Sequence, residues 1–375
     1  LVPALVALVA LLFLASILIG PATVPVTDSL SALILGDGGP LTLVMRELRL
    51  PRAVLATAIG AGLGLSGAVM QGYLRNPLAE PGLLGVSGAA ALGAVLALQT
   101  GLAAAMALAL PLAGLAGAFV AVLVLALLAG PAGGALTLIL AGIGVSALSG
   151  AGLALVLNLS PDPFAAQEIV FWLMGSLADR SWSHVALALP FITLGCALLL
   201  TQARALSALT LGEDAAASMG VSLGRLRAIV LLGTAAVVGS STAVAGAIGF
   251  IGLMVPHILR RATRGDPARL LPVSALGGAA LLLAADIAVR LILPGRDLKL
   301  GVLLAILGVL VNGAAVLRVR AGSSLNEQVV TWHLLEDVFG WVAVLVVSIV
   351  MLFVEVPVLD PLLSIVITLW VGWNA

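Results

Sequence analysis

The most constraining feature of this sequence is a series of long apolar runs, separated by short segments that carry most of its charge. Residues 105–129 and 135–158 are two such runs, and neither contains a charged side chain. A helix needs about 20 apolar residues to cross a bilayer, whereas a strand of a membrane barrel needs about ten in alternation. Hydrophobic residues make up 62% of the chain and charged residues 9%, against about 25% charge in a soluble domain. The sequence therefore predicts an all-α polytopic membrane protein.

About twelve segments are long and apolar enough to span a bilayer. The predicted spans are residues 1–19, 53–72, 86–101, 105–129, 135–158, 185–202, 227–242, 243–261, 270–292, 301–318, 329–353 and 358–374. The loops on the side of the N-terminus hold more arginines, which favours a cytoplasmic N-terminus. The opposite side is nevertheless rich in arginine, which indicates an acidic partner there. Because residue 1 is Leu rather than Met, we expect the natural N-terminus to lie upstream.

Charge, cysteine content and motifs exclude several classes of function. The net charge is zero, which gives no indication of nucleic-acid binding. Cys196 is the single cysteine, so an internal disulfide and a cysteine metal cage are excluded. The phosphate-binding pattern G-x-x-x-x-G-K-[ST] does not occur in the sequence, so any ATP hydrolysis must come from another chain.

A polar segment over residues 206–227 interrupts the apolar pattern and carries Glu213, Asp214, Arg225 and Arg227. Its stretch AAASMG is expected to form a short helix that ends at Gly220. A polar hairpin on a membrane bundle can bind a soluble partner, and the alternative is an ordinary connecting loop.

Two further features lie within or between the apolar runs. The sequence breaks at Asn76-Pro77 and at Pro81-Gly82, next to a glycine-rich helix. Irregular backbone at membrane depth is tolerated only against protein or a water-filled path, so these residues line a path or form a tight turn.

Asp286 and Arg290 are spaced to pair along one helix face, either as functional charges or as a structural pair.

Seven stretches of the sequence are distinctive: RLPR (49–52), SGAVMQG (66–72), NPLAEPGLLGVSGAA (76–90), FWLMGSL (171–177), LGEDAAASMGVSLGRLR (211–227), GAIGFIGLMVPHILRR (246–261) and LLAADIAVRL (282–291). They resemble the FecCD-type permeases of ABC importers for iron–siderophores, haem and cobalamin, and among these the cobalamin permeases are the most similar. The stretches follow the order of the family and cover most of residues 1–300. The resemblance implies a ten-helix permease of the bacterial inner membrane that works as a dimer. It also implies two ATP-binding subunits and a periplasmic or surface substrate-binding protein as partners.

The resemblance implies roles for individual residues as well. The polar segment matches the loop that couples such permeases to their ATPases, with contacts expected from Leu211, Gly212, Glu213, Ala216, Met219, Gly220 and Arg225. Arg49, Arg52 and Arg290 match arginines that dock the substrate-binding protein. The translocation path, at the interface of the two copies, is expected to be lined by Gly60, Gly64, Gly67, Gln71, Asn76, Pro77 and Gly85. ATP and magnesium are expected on the partner ATPases, and no cofactor on this chain.

The C-terminal part departs from that family. The helix over residues 301–318 lacks the proline that is typical of the family, and the predicted junction lies near residues 297–312. Residues 303–375 resemble helices four to six of cation diffusion facilitators, through SLN (324–326), HLLED (333–337) and DPLLS (360–364). His333 and Asp337 share one helix face and suit a divalent metal such as zinc. The antiporter site of that family needs a second such pair, which this sequence lacks.

The predicted organisation is a permease domain over residues 1–300, a final permease helix and junction over 301–320, and two added transmembrane helices over 321–375. The favoured function is the transmembrane permease of an ATP-driven importer of a metal chelate. The alternative is a zinc/proton antiporter fragment in the tail, with zinc held by His333 and Asp337.

Overall fold

The computed structural model describes residues 1–20, 24–36, 38–77, 79–106, 108–130, 134–160, 169–170, 172–292 and 299–318. The chain divides into two compact units, Leu1–Ala305 and Ile306–Ala375. The predicted added helices, with His333 and Asp337, lie outside the described residues. The predicted domain boundaries therefore stay a prediction.

The described part of the chain is helical throughout. Its helices are α1 Val2–Leu18, α2 Val26–Ile34, α3 Pro40–Tyr73, α4 Val86–Gln99, α5 Ala109–Ala129, α6 Ala135–Asn158, α7 Trp182–Leu200, α8 Ala203–Leu209, α9 Glu213–Ser218, α10 Leu223–Ala245, α11 Ile251–Leu259, α12 Pro267–Ile292 and α13 Leu300–Arg318. Single turns lie at Pro81–Leu84 and Leu102–Ala105. Among the described residues, six helices (α3, α5, α6, α7, α10 and α12) are long and apolar enough to cross a membrane. The all-helical membrane fold is confirmed, whereas the predicted count of ten permease helices plus two added helices is not.

Helix α3 lies at the centre of the bundle and packs against α1, α7, α10, α11 and α12. In α3 and in α10, 78% of the most apolar window is buried, against 28% in α6 and α7. The first two helices therefore form the core, while α6 and α7 turn much of their surface outward. Outward apolar faces of this kind suit lipid or a second membrane chain.

One predicted span is wrong. Residues 243–261 do not form a continuous helix, because α10 runs on to Ala245 and α11 begins only at Ile251. Gly246 and Phe250 take φ angles of +74° and +67°, which are incompatible with a right-handed helix. With nine residues, α11 is about 14 Å long, less than half the thickness of a bilayer.

The two ends of α3 define the two ends of the bundle. Towards its N-terminal end, α3 carries Arg52, twelve residues after Pro40 and close to Asp286 of α12. The other carries Tyr73 and Arg75, next to the segment that holds α8 and α9. Following the predicted orientation, we call these the outer end and the inner end.

Candidate functional site

The polar segment at the inner end is an ordered hairpin whose turns depend on glycine. Gly212 precedes α9 with φ +106°, and Gly220 follows it with φ +85°. After α9, the Gly220 N–H donates to the Ala217 carbonyl at 2.9 Å and the Val221 N–H to the Ala216 carbonyl at 3.0 Å. This pair of bonds is the Schellman arrangement that ends a helix at a left-handed residue. The predicted helix stop at Gly220 is confirmed.

The surface of this hairpin combines polar and apolar side chains. Leu211 and Met219 flank α9 and are 69% and 55% exposed, while Ala216 between them is fully buried. Glu213 and Arg225 are exposed as well. Large apolar side chains at the polar end of a membrane bundle are typical of a surface that another protein covers.

The hairpin is attached to the bundle through α8. The Ser207 hydroxyl donates to Asp266 Oδ1 at 3.3 Å, and the same oxygen accepts the Ala268 N–H at 3.0 Å. Asp266 thus caps the N-terminus of α12 and also connects α12 to α8. The Arg75–Glu213 pair is longer, at 3.9 Å, and both side chains are about half exposed, so it contributes little. Ser207 and Asp266 are the more specific attachment.

At the outer end, two guanidinium groups bind one carboxylate, and a third, that of Arg49, lies in the same cluster. Arg52 donates to both oxygens of Asp286 at 2.7 to 3.1 Å, and Arg290 donates to Asp286 Oδ2 at 2.7 Å. The predicted pairing of Asp286 with Arg290 is confirmed. Asp286 is fully buried, so the double pairing compensates for the loss of its hydration.

The same cluster holds the end of α1. Arg290 donates to the Ser16 and Ile19 carbonyls at 2.8 and 2.6 Å, and Arg49 donates to the Ile17 and Leu18 carbonyls at 3.2 and 2.9 Å. Carbonyls in the last turn of a helix have no partner within it, so these two side chains supply the missing donors.

The predicted docking role of the three arginines stays a prediction. Arg49 and Arg290 are only 6% and 8% exposed, and the Arg52 side chain 19%. Their described contacts lie within the chain, on α1 and α12. Of the three, Arg52 is the most accessible to an acidic partner at the outer end.

The glycines predicted to line a path lie at contacts between helices of this chain. A Cβ at Gly60 or Gly64 would collide with the backbone of α12, at Gly278 and Ser274 respectively. A Cβ at Gly67 would collide with Gly252 in α11. In this structure their role is to let α3 approach its neighbours closely, and their role in a path stays a prediction.

The other predicted path residues lie towards the inner end. Gln71 is buried, donates to the Leu253 carbonyl at 3.2 Å and accepts from Arg260 at 2.8 Å. Burial lowers the pKa of Arg260. Asn76 and Gly85 are also buried, while Pro77 is half-buried.

The two irregular backbone segments meet beside a small cavity. Residues 80–82 approach residues 247–250, and the cavity between them has a volume of about 150 Å³. Glu80 and Ser87 are its polar lining residues, and Phe250 contributes its strained backbone. Broken backbone beside a cavity fits the alternative of a path better than that of a plain turn.

Sequence comparisons identify the family. The sequence matches the FecCD transport family over residues 8–318. The chain belongs to this family. It also matches the cation efflux transmembrane domain over residues 268–375, so the two matches overlap. Within the described residues there is no cluster of three metal-ligating side chains, and His333 and Asp337 lie outside them.

Similar proteins of this family come from several organisms. The permease YvrB of Bacillus subtilis is 40% identical over 78% of this chain and 84% of its own length. The hemin permease HmuU of Yersinia pestis is 38% identical over 70% and 79%, and the Fe(3+) dicitrate permease FecD of Escherichia coli is 42% identical over 71% and 82%. A solved structure of a metal-chelate type ABC transporter, in an inward-facing conformation, matches with a TM-score of 0.75 and 30% identity, over 85% of this chain and 99% of that one.

Proposed function

We propose that this chain is the membrane-spanning permease of an ATP-driven importer that carries a metal chelate, such as haem, cobalamin or a ferric complex. The observation that carries the proposal is the hairpin at the inner end, ordered by Gly212 and Gly220 and exposing Leu211 and Met219. A family permease needs such a surface because it has no ATP site of its own. The cargo class is supported by the relatives, which transport hemin, vitamin B12 and Fe(3+) dicitrate.

The proposed partners follow from this role. Two ATP-binding subunits, which carry ATP and magnesium, would contact the hairpin from the cytoplasm. A substrate-binding protein would dock at the outer end, where Arg52 is the accessible member of the arginine cluster. We place the protein in the bacterial inner membrane, with both ends of the bundle meeting soluble partners.

A second permease copy would pack against an outward face such as that of α6. Gly144, Ala147 and Ala151 lie on this face at helical spacing and are exposed. Small residues at this spacing let two membrane helices approach closely. A path between the two copies would then run beside the irregular segments near Phe250.

The proposed mechanism is alternating access. ATP-driven closure of the ATPases would move the hairpin, and α8 would pass this movement to α12 through Ser207 and Asp266. Because α3 and α12 touch backbone to backbone, they would move as a unit.

The alternative function, cation exchange by the tail, is supported by the match over residues 268–375. Zinc bound by His333 and Asp337 alone would have two protein ligands, whereas zinc sites have three or four. The family match over residues 8–318 covers far more of the chain and favours the importer.

The test is a pair of matched glycine substitutions, assayed with an ATPase of this family and a substrate-binding protein. Gly220 and Gly224 both have open space around their Cα, but only Gly220 requires a positive φ. A β-branched residue in the left-handed region costs about 1–2 kcal/mol. We therefore expect Gly220→Val to lower substrate-stimulated ATP hydrolysis several-fold without changing the basal rate, and Gly224→Val to change neither. Equal stimulation in both variants would contradict the coupling role of the hairpin.

A further inference from the structure

Helix α2, at the outer end, carries a ridge of exposed aliphatic side chains. Val26, Leu30 and Ile34 follow each other at intervals of four residues and are 54%, 38% and 71% exposed. This spacing places them along one side of the helix. Ser29 and Ala32, on another side, are buried against the bundle.

The polar side chains of α2 lie on the remaining side. Thr27, Asp28 and Ser31 are all exposed. At 100° per residue they centre about a third of a turn from the buried face and about a third of a turn from the aliphatic ridge. The helix therefore has a buried face, an aliphatic flank and a flank that carries its polar side chains, and Leu35, which is 79% exposed, follows its last residue.

The position of α2 in the bundle shows where that division falls. Its buried Ala32 belongs to one cluster with Ile17 of α1, and with Met45 and Ala53 of α3. Ile17 lies in the last turn of α1, and Ala53 lies in the first part of the membrane-spanning α3. Helix α2 thus lies level with the outer ends of membrane helices, not above them.

The end of α2 is suited to an environment with little water. Arg46 donates to the Leu33 and Ile34 carbonyls at 2.9 and 3.0 Å. These carbonyls belong to the last turn and have no partner within the helix. In the hydrocarbon region of a bilayer, where water is scarce, backbone groups must find such partners inside the protein.

We propose that the ridge of Val26, Leu30 and Ile34 inserts into the outer leaflet of the membrane, among lipid acyl chains, while Asp28 and Ser31 face the headgroups and water. The exposed side chains of the ridge are all aliphatic, whereas the surface that contacts a soluble partner mixes apolar and polar groups. The arrangement is that of an interfacial amphipathic helix. The inference rests on the membrane embedding of this chain and not on transport.

The test uses single-cysteine variants in a Cys196→Ala background, since Cys196 is the only native cysteine. Leu30→Cys and Ile34→Cys report the ridge, and Asp28→Cys and Ser31→Cys are matched controls one turn away or less. Each variant is labelled with bimane in nanodiscs of phosphatidylethanolamine and phosphatidylglycerol. Quenching is measured with a nitroxide carried on the lipid chains and with aqueous iodide.

We expect the lipid nitroxide to quench labels at residues 30 and 34 several-fold more strongly than labels at 28 and 31, and iodide to show the reverse order. Strong iodide quenching at all four positions would overturn the proposal, because the ridge would then face water. Iodide quenching at 30 and 34 that disappears when a substrate-binding protein is added would overturn it in favour of a docking surface. Shielding of 30 and 34 from both quenchers would overturn it in favour of contact with a second protein chain. A variant that fails to fold is replaced by labelling at residue 26, which lies on the same ridge.

Discussion

Asp286 is the residue on which the outer arginine cluster depends. It is fully buried and is the carboxylate shared by Arg52 and Arg290. The other donors of Arg290 reach α1 and the Asp286 carbonyl. Removing it would leave two buried or partly buried cations to compete for backbone carbonyls. A buried charge without its counter-ion is among the most unfavourable arrangements in a protein interior.

We therefore expect Asp286→Asn to destabilise the permease by about 3–5 kcal/mol, because breaking a buried ion pair leaves the other charge uncompensated. The measurement is the thermal unfolding midpoint in detergent. Asp28→Asn is the control, since Asp28 is exposed and its side chain, among the described residues, accepts a hydrogen bond from its neighbour Thr27. An unchanged midpoint for Asp286→Asn would contradict the role of this carboxylate as the counter-ion of Arg52 and Arg290.

The sequence predicted part of this cluster and missed the rest for a physical reason. The Asp286–Arg290 pair lies within one helix, where spacing alone indicates contact. The Arg52–Asp286 pair joins residues that are 234 positions apart, and no local pattern reports it. Arg52 was accordingly predicted as a docking residue and not as a partner of Asp286. Its partner could be known only after α3 and α12 were placed side by side.

At the scale of elements, α3 and α12 pack closely because α3 has glycines at their contact. Gly64 faces the Ser274 backbone, whereas Gly72, two turns further along α3, has only the flexible side chain of Leu206 at 3.6 Å or more. The same substitution therefore has opposite consequences at the two positions.

We expect Gly64→Ala to destabilise the bundle by about 1–3 kcal/mol, the range for an overpacked interior. Gly72→Ala should be neutral or stabilising by up to about 1 kcal/mol, because alanine is the better helix former. The measurement compares the thermal unfolding midpoints of the two variants in detergent under the same conditions. Equal midpoints would show that α12 can shift away from α3 at little cost.

The joint between α8 and α12 is the second contact at this scale, and its prediction rests on the proposed function. Ser207→Ala removes the bond to Asp266 but leaves the cap of α12 in place. If that bond carries about 1 kcal/mol of coupling, substrate-stimulated ATP hydrolysis falls about fivefold. Ser218→Ala is the control, because the described hydrogen bond of its hydroxyl goes to the Asp214 carbonyl within α9. Loss of stimulation in both variants would indicate a disturbed hairpin and not a specific joint.

Two breaks between helices differ in how well the sequence predicts them. Gly220 ends α9 as predicted, because a glycine after a short polar helix is a strong local signal. The break at Gly246–Phe250 was missed, since the surrounding residues are apolar and resemble the start of another span. In the structure, the turn brings α11 into contact with α3, which no local sequence pattern reports.

The whole molecule consists of an importer-like unit and a C-terminal tail whose sequence resembles cation efflux proteins. The first compact unit ends at Ala305, and the match to the FecCD transport family ends at residue 318. Every described contact of the inner hairpin and of the outer arginine cluster lies within the first unit. The sites proposed for coupling and docking therefore do not require the tail.

We accordingly expect a chain truncated after Arg320 to assemble with the ATPases and to show the same substrate-stimulated hydrolysis as the full chain, within about twofold, a difference of less than 1 kcal/mol. The measurement compares both chains in nanodiscs, with and without substrate-binding protein. His333→Ala in the full chain is the control for the tail and should leave the stimulation unchanged. If the truncated chain alone is active, the tail obstructs assembly. If truncation abolishes a stimulation that the full chain shows, the tail belongs to the working importer, and its likeness to cation efflux proteins reflects a structural role.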